Sequence, residues 1–182
     1  MEKEDAQLVS ESLLGNEGSF EKLVRRYTPQ LYRFAYRLSG NVQAAEDATQ
    51  ETFIKVWKNL KKYDAKQPFR SWIFTIARNT VTDYLRKKKS LSFSVLSRDE
   101  SSFEDTLSDT DPLPEEQLVA IETTGELMSL LATLPEEYRT VLTLHYQEGM
   151  TFEEIGKVMG RPPNTVKSWH RRALQKLHPK TA

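Results

Sequence analysis

TFEEIGKVMGRPPNTVKSWHRRALQKL, residues 151–177, reads as two helices joined by a tight turn. Thr151 is a good N-cap, and Glu154 three residues on completes a capping box in which each side chain satisfies the other's backbone donor. Phe152, Ile155, Val158 and Met159 then place an apolar stripe on the first helix. Gly160 stands where that helix must stop, and Pro162-Pro163 cannot continue it but suits the start of the next. In the second helix Val166, His170, Ala173, Leu174 and Leu177 fall on the inward side. Thr165, Lys167, Ser168, Trp169, Arg171, Arg172 and Gln175 remain for the outside. Gly156 falls where the two helices would cross. His170, by its spacing, serves packing rather than chemistry.

An outward face of arginines, lysine, hydroxyls and amides has the donors that a DNA major groove accepts. Arginine forks onto guanine, glutamine onto adenine, and the rest grip phosphates. A helical hairpin with a solvated basic face is the plainer alternative. The short turn, the small Gly156 and the basic second helix favour helix-turn-helix.

The chain has 182 residues and no cysteine, which excludes a disulfide framework and any thiolate metal site. It contains no apolar run long enough to span a bilayer and a polar N-terminus unlike a signal peptide, so a cytoplasmic location is expected. The formal net charge of zero conceals a segregation. Residues 1–90 carry 17 basic and 11 acidic side chains, residues 91–126 carry 1 and 10, and residues 127–182 carry 8 and 5. Two basic blocks therefore flank an acidic one, and each basic block is a candidate nucleic-acid surface.

In chain order, a short polar helix is expected over 4–15. A long amphipathic one follows through Phe20, Leu23, Tyr27, Leu31, Phe34 and Leu38, bent at Pro29 and ended by Gly40. A third runs from Asn41 to about Leu60, with Ala45, Ala48, Thr49, Phe53, Val56 and Leu60 inward. Asp47, Gln50, Glu51 and Ile54 then share another face, either a partner-binding surface or a solvated one. After a polar loop, Lys61–Lys66, the segment FRSWIFTIARNTVTDYLRKKK begins at Phe69. Its inward face is Phe69, Ile73, Ile76, Ala77, Thr80 and Tyr84. Trp72, Thr75, Asn79, Thr82, Asp83 and Arg86 lie opposite, ahead of the cationic run through Lys89. An aromatic ring beside amides and positive charge suits single-stranded DNA; equally, Trp72 packs in the core and the run is a solvated helix end. Residues 90–117 lack helical periodicity and are rich in Ser, Asp, Glu and Thr, as in an extended linker. Helices resume from Glu115 to about Leu134 and from Pro135 through Tyr146, with Gly149 closing the second.

Nearly the whole chain resembles a bacterial RNA polymerase sigma factor of the extracytoplasmic-function group. AEDATQETFIKVW and FRSWIFTIARNTVTDYLRKKK are similar to that family's region two. LPEEYRTVLTLHYQEGMTFEEIGKVMGRPPNTVKSWHRRALQKL is similar to its region four. Asn164 stands where the family commonly has glycine, and Trp169-His170 replaces a more usual arginine-and-aliphatic pair. The resemblance implies an all-α fold: two small helical domains, 1–89 and 118–182, joined by a flexible acidic linker, 90–117.

It also implies roles. Asp47, Gln50, Glu51, Phe53, Ile54 and Trp57 match the helix that docks on the clamp of the polymerase largest subunit, while the flap of the second subunit is a further partner. Lys61, Tyr63, Asp64, Phe69, Ser71, Trp72, Asn79, Asp83 and Arg86 match the loop and helix that melt and read the minus-ten element, where a flipped base is captured. Asn164, Thr165, Lys167, Ser168, Arg171, Arg172 and Gln175 match the minus-thirty-five reader. Promoter DNA, both duplex and single-stranded, is thus an implied partner, and a membrane-anchored anti-sigma factor is common in the family. No catalytic residue, metal or cofactor is expected. The sequence has no phosphate-cradling glycine loop and no metal-ligand spacing among its three histidines. Two other readings follow from the residues alone. One is a stand-alone helix-turn-helix regulator; the other is an enzyme using Asp47 and Glu51, weakened because those carboxylates share an exposed face without a base partner.

Overall fold

The computed structural model describes residues 4–95, 125 and 127–177, with the side chains of 88–95 left aside. Among the described residues every regular element is a helix. They are α1 (Asp5–Leu13), α2 (Glu17–Ser39), α3 (Val42–Asn59), a 3-10 turn (Leu60–Lys62), α4 (Phe69–Val95), α5 (127–132), α6 (Glu136–Leu142) continued by a π-helical turn (Thr143–Gln147), α7 (Phe152–Met159) and α8 (Pro163–Leu177).

The expected N-terminal helices form for the expected reasons. Asn41 caps α3 by accepting from the Ala44 amide at 2.8 Å. Gly40 ends α2 in the left-handed region at φ 67°. α1 is pinned across α2 by Asp5, which accepts from Arg26 and from the Tyr27 hydroxyl. Burial and the Asp5 hydrogen bond push the Tyr27 phenol well above its ordinary pKa, so it stays a donor. Leu8, Leu23, Leu31, Phe34, Val56, Ile73 and Phe74 fill the interior, with Phe34 and Phe74 edge to face at 5.4 Å.

α4 departs most from expectation. It packs against α2, α3 and α7 together, so its buried arc extends beyond one stripe to include Phe74, Val81 and Ser71. Ile76 and Tyr84, expected inward, are half-buried. α4 also continues to Val95, past the linker boundary expected at 90; the remainder of the expected linker, 96–117, lies outside the described residues.

The C-terminal helices pack on the N-terminal ones, and one cluster of buried side chains spans both. Polar contacts line the seam. Arg70 of α4 donates to the Glu148 carbonyl and, at 3.2 Å, to its carboxylate. Arg139 donates to the Leu38 carbonyl at 2.6 Å, and Thr82 donates to Glu136.

Candidate nucleic-acid and polymerase interfaces

The helix-turn-helix takes its geometry from its own residues. The capping box is complete: Glu154 accepts from the Thr151 amide at 2.8 Å, and the Thr151 hydroxyl accepts from the Glu154 amide at 3.2 Å. That backbone donor holds the Glu154 carboxyl below its ordinary pKa. Gly160 supplies the left-handed φ of 61° that ends α7. A Cβ on Gly156 would sit 2.7 Å from the Arg161 carbonyl, so glycine is what lets the chain fold back there.

On α8, at 100° per residue, Asn164, Thr165, Lys167, Ser168, Arg171, Arg172 and Gln175 span an arc of about half the circumference. All are exposed except Thr165, which is half-buried. Val166 and Ala173 face the core. Trp169 lies at the border between the two arcs, and it packs partly against the core instead of facing freely outward. His170 is half-buried within a ring cluster. It meets His145 and Phe152 edge to face, both at 5.2 Å, and its Nε2 lies 3.0 Å from the Tyr146 hydroxyl. Burial, and then the neighbouring His145, lower its pKa.

On α3, Asp47, Gln50, Glu51, Ile54 and Trp57 form one exposed stripe. Ile54 and Trp57 keep 52% and 50% of their surface exposed, which is unusual for such large apolar residues standing in line with acids and an amide. Phe53, expected in the same group, lies at the edge of the stripe and packs against the core. Glu51 pairs with Lys55 at 2.9 Å, and Lys55 reaches across to the Thr80 hydroxyl at 3.1 Å.

The expected minus-ten residues divide. Phe69 and Ser71 are buried at 2% exposure, so they shape the loop and its helix start rather than face a ligand. Tyr63 and Trp72 are half-buried; with Phe69 they form a three-ring cluster with centroids 5.2–5.6 Å apart. Lys61, Asp64, Asn79, Asp83 and Arg86 are exposed, the last two facing each other at 3.7 Å. Trp72 and Asn79 open on a cleft of about 420 Å³ whose far wall is Lys55, Asn59 and Lys62 from α3 and its 3-10 turn. Sequence reasoning missed that wall. Its signal was present as helical steps of four and three at 55, 59 and 62, but nothing local linked those positions to α4. The cleft offers an aromatic ring, two amides and two ammonium groups, the chemistry of a site for an unstacked base and its phosphate.

Comparison with known proteins shows the family and the fold. Residues 23–91 match the profile of Sigma-70 region 2, and residues 124–177 that of Sigma-70, region 4. The chain is 32% identical over 166 residues to the ECF RNA polymerase sigma factor SigW of Bacillus subtilis, covering 90% of this chain and 89% of that one. It is 37% identical over 161 residues to the ECF RNA polymerase sigma factor SigE of Mycolicibacterium smegmatis, covering 87% of this chain and 60% of the longer relative. The fold superposes on CnrH, solved in complex with the cytosolic domain of CnrY, with a TM-score of 0.72 and 25% identity, covering 95% and 94% of the two chains. The two profile matches, one over each helical unit, together define the class as a transcription initiation factor. The chain belongs to the extracytoplasmic-function group of RNA polymerase sigma factors. It is an alternative sigma factor that directs promoter-specific initiation. Among the described residues no helix is long and apolar enough to cross a membrane.

Proposed function

We propose that this sigma factor docks on core RNA polymerase through the α3 stripe of Asp47, Gln50, Glu51, Ile54 and Trp57, and that the largest-subunit clamp is what the stripe meets. The observation that carries the reading is the half-exposed pair Ile54 and Trp57, held in line with acids and an amide on a side the core does not claim. An apolar centre with a charged rim is the composition of a binding surface. The cleft of Trp72 and Asn79 receives an unstacked base of the minus-ten element, which offsets the stacking lost on opening. The α8 arc reads the minus-thirty-five duplex, and the C-terminal unit also meets the flap of the second subunit. The N-terminal domain takes in α4 to Val95 instead of ending at 89, so the linker is 96–117 and the C-terminal domain 118–182.

The two promoter elements lie about 25 base pairs apart by name, ~85 Å at 3.4 Å per step. A folded chain of this size has a radius of gyration of only ~16 Å. Engaging both elements with one chain therefore requires the seam between the units to part. The site of action is the cytoplasm. CnrH is seen with the cytosolic domain of CnrY; a restraining anti-sigma partner with a membrane anchor is the corresponding expectation here.

The test is co-purification. Gln50→Ala with Glu51→Lys should leave stability within ~0.5 kcal/mol, because both positions are exposed. It should also abolish pull-down of core polymerase; undiminished pull-down by the folded double variant refutes the docking face.

A further inference from the structure

α1 ends in an apolar knuckle that the interior does not use. Leu14 is 87% exposed and Leu13 44%. The knuckle is held rigidly. The Leu14 and Gly15 amides donate back to Ser10, Glu11 and Ser12 at 3.1–3.2 Å, and the Asn16 amide donates to the Glu11 carbonyl at 3.0 Å. The Ser12 hydroxyl donates to the Leu8 carbonyl at 2.7 Å, and the Ser19 hydroxyl ties Glu11 to α2 at 2.5 Å. Beside the knuckle lies an open cleft of about 470 Å³, with Leu13 on one wall and Trp57, Lys58 and Leu60 on the other. The Trp57 ring leans on Phe20 at 4.7 Å, which fixes it at the cleft mouth.

We infer that Leu13, Leu14 and the Trp57 cleft form a second docking point for core RNA polymerase, continuous with the α3 stripe. The inference rests on the reading of that stripe as the docking face. Trp57 belongs to both surfaces, so a partner that covers Ile54 and Trp57 reaches the cleft without a gap. Charge gives the order of the contact. The stripe is acidic at Asp47 and Glu51 and becomes basic at Lys58, about 17 Å along the helix from Asp47 at about 1.5 Å per residue. The matching polymerase element carries basic groups at one end, carboxylates at the other and an apolar side chain that enters the cleft beside Leu13. A preformed pocket beside an exposed apolar tip costs little ordering on binding, which is what makes such a pair an anchor.

The experiment titrates bacterial core RNA polymerase into the fluorescently labelled full-length chain and reads anisotropy. Leu14→Asp and Lys58→Glu are the test variants, and the Gln50→Ala/Glu51→Lys variant is the reference. Leu14 is too exposed for its loss to unfold the chain, which circular dichroism verifies. Leu14→Asp should weaken polymerase binding roughly thirtyfold or more, the loss typical of an anchor residue, and Lys58→Glu should weaken it to a smaller, salt-dependent degree. If the reference variant loses binding while Leu14→Asp binds like the parent, the docking face stands and the knuckle is no part of it. If all variants bind like the parent, the docking reading fails and this inference with it. Light scattering covers the remaining occupant: a parent dimer that Leu14→Asp converts to monomer at unchanged polymerase affinity overturns the assignment in favour of a second copy.

Discussion

Arg70 on α4 donates to both the main-chain carbonyl and the carboxylate of Glu148, joining the N-terminal helices to the turn that precedes the helix-turn-helix. The Glu148 side chain is 2% exposed and that of Arg70 35%. Burial raises the Glu148 pKa, and Arg70, Arg33 and Arg37 act against that rise. The pair is incompletely satisfied. Arg70 Nε and Glu148 Oε1 are buried without a partner, as are Arg139 Nε and the Gln147 amide nearby in the chain. A seam with such orphans differs from a permanent core, where nearly every buried polar atom is paired.

Removing one partner of this pair is therefore more damaging than removing both. Arg70→Met strands a buried carboxylate and should weaken the seam by about 3 kcal/mol. Small-angle scattering should record a larger radius of gyration. Arg70→Met with Glu148→Gln should recover most of the compactness, because the stranded charge is gone. An unchanged radius in the single variant would show that the pair does not hold the seam.

Gly156→Ala tests the fold-back of the helix-turn-helix. Helix propensity alone favours alanine by about 1 kcal/mol. The added Cβ would lie 2.7 Å from the Arg161 backbone carbonyl, which cannot swing aside like a side-chain tip. The clash should win by about 1–3 kcal/mol and lower the thermal midpoint. A variant as stable as the parent would mean that the turn accommodates the methyl.

Asn79→Ala tests the minus-ten cleft. Asn79 is exposed and its carbonyl oxygen meets only the tip of Arg78, at 3.3 Å, so the fold should survive. Permanganate footprinting should show reduced opening of an ordinary promoter duplex. Rescue should be fuller on a premelted template if opening alone is lost, and polymerase binding should be unchanged. Normal opening with unchanged base preference removes Asn79 from the site.

His170 should make the C-terminal unit sensitive to acid. Its folded pKa lies below the ordinary 6.5, so between the two values the unfolded chain binds the proton more readily. Stability should rise as pH rises through that window and fall on acidification below about 6.5. His170→Leu fills the same ring cluster with an untitratable side chain and should flatten that part of the profile. Chemical denaturation at pH 5.5 and 7.5 compares the slopes; equal slopes in parent and variant would exclude His170.

The sequence alone determined what depends on neighbours within one or two turns. The capping box of Thr151 and Glu154, the stop at Gly160, the inward Val166 and Ala173, and the shared stripe of Asp47, Gln50, Glu51 and Ile54 all follow from helical period and local hydrogen bonding. Gly156 was legible too, because a crossing of two helices joined by so short a turn needs a small residue. Tertiary structure decided whatever depends on which helices meet. α4 packs against three others, so Ser71, Phe74 and Val81 are buried where a single stripe leaves them outside. Trp72 is neither simply core nor simply surface. It packs on Tyr63 and Phe69 with one side and lines the cleft with Lys55 and Asn59 on the other. The same holds for Arg70 and Glu148, which are 78 residues apart. Their pairing has no signature in either segment, because helical periodicity reports which side of a helix is apolar and is silent on the charge that will stand opposite.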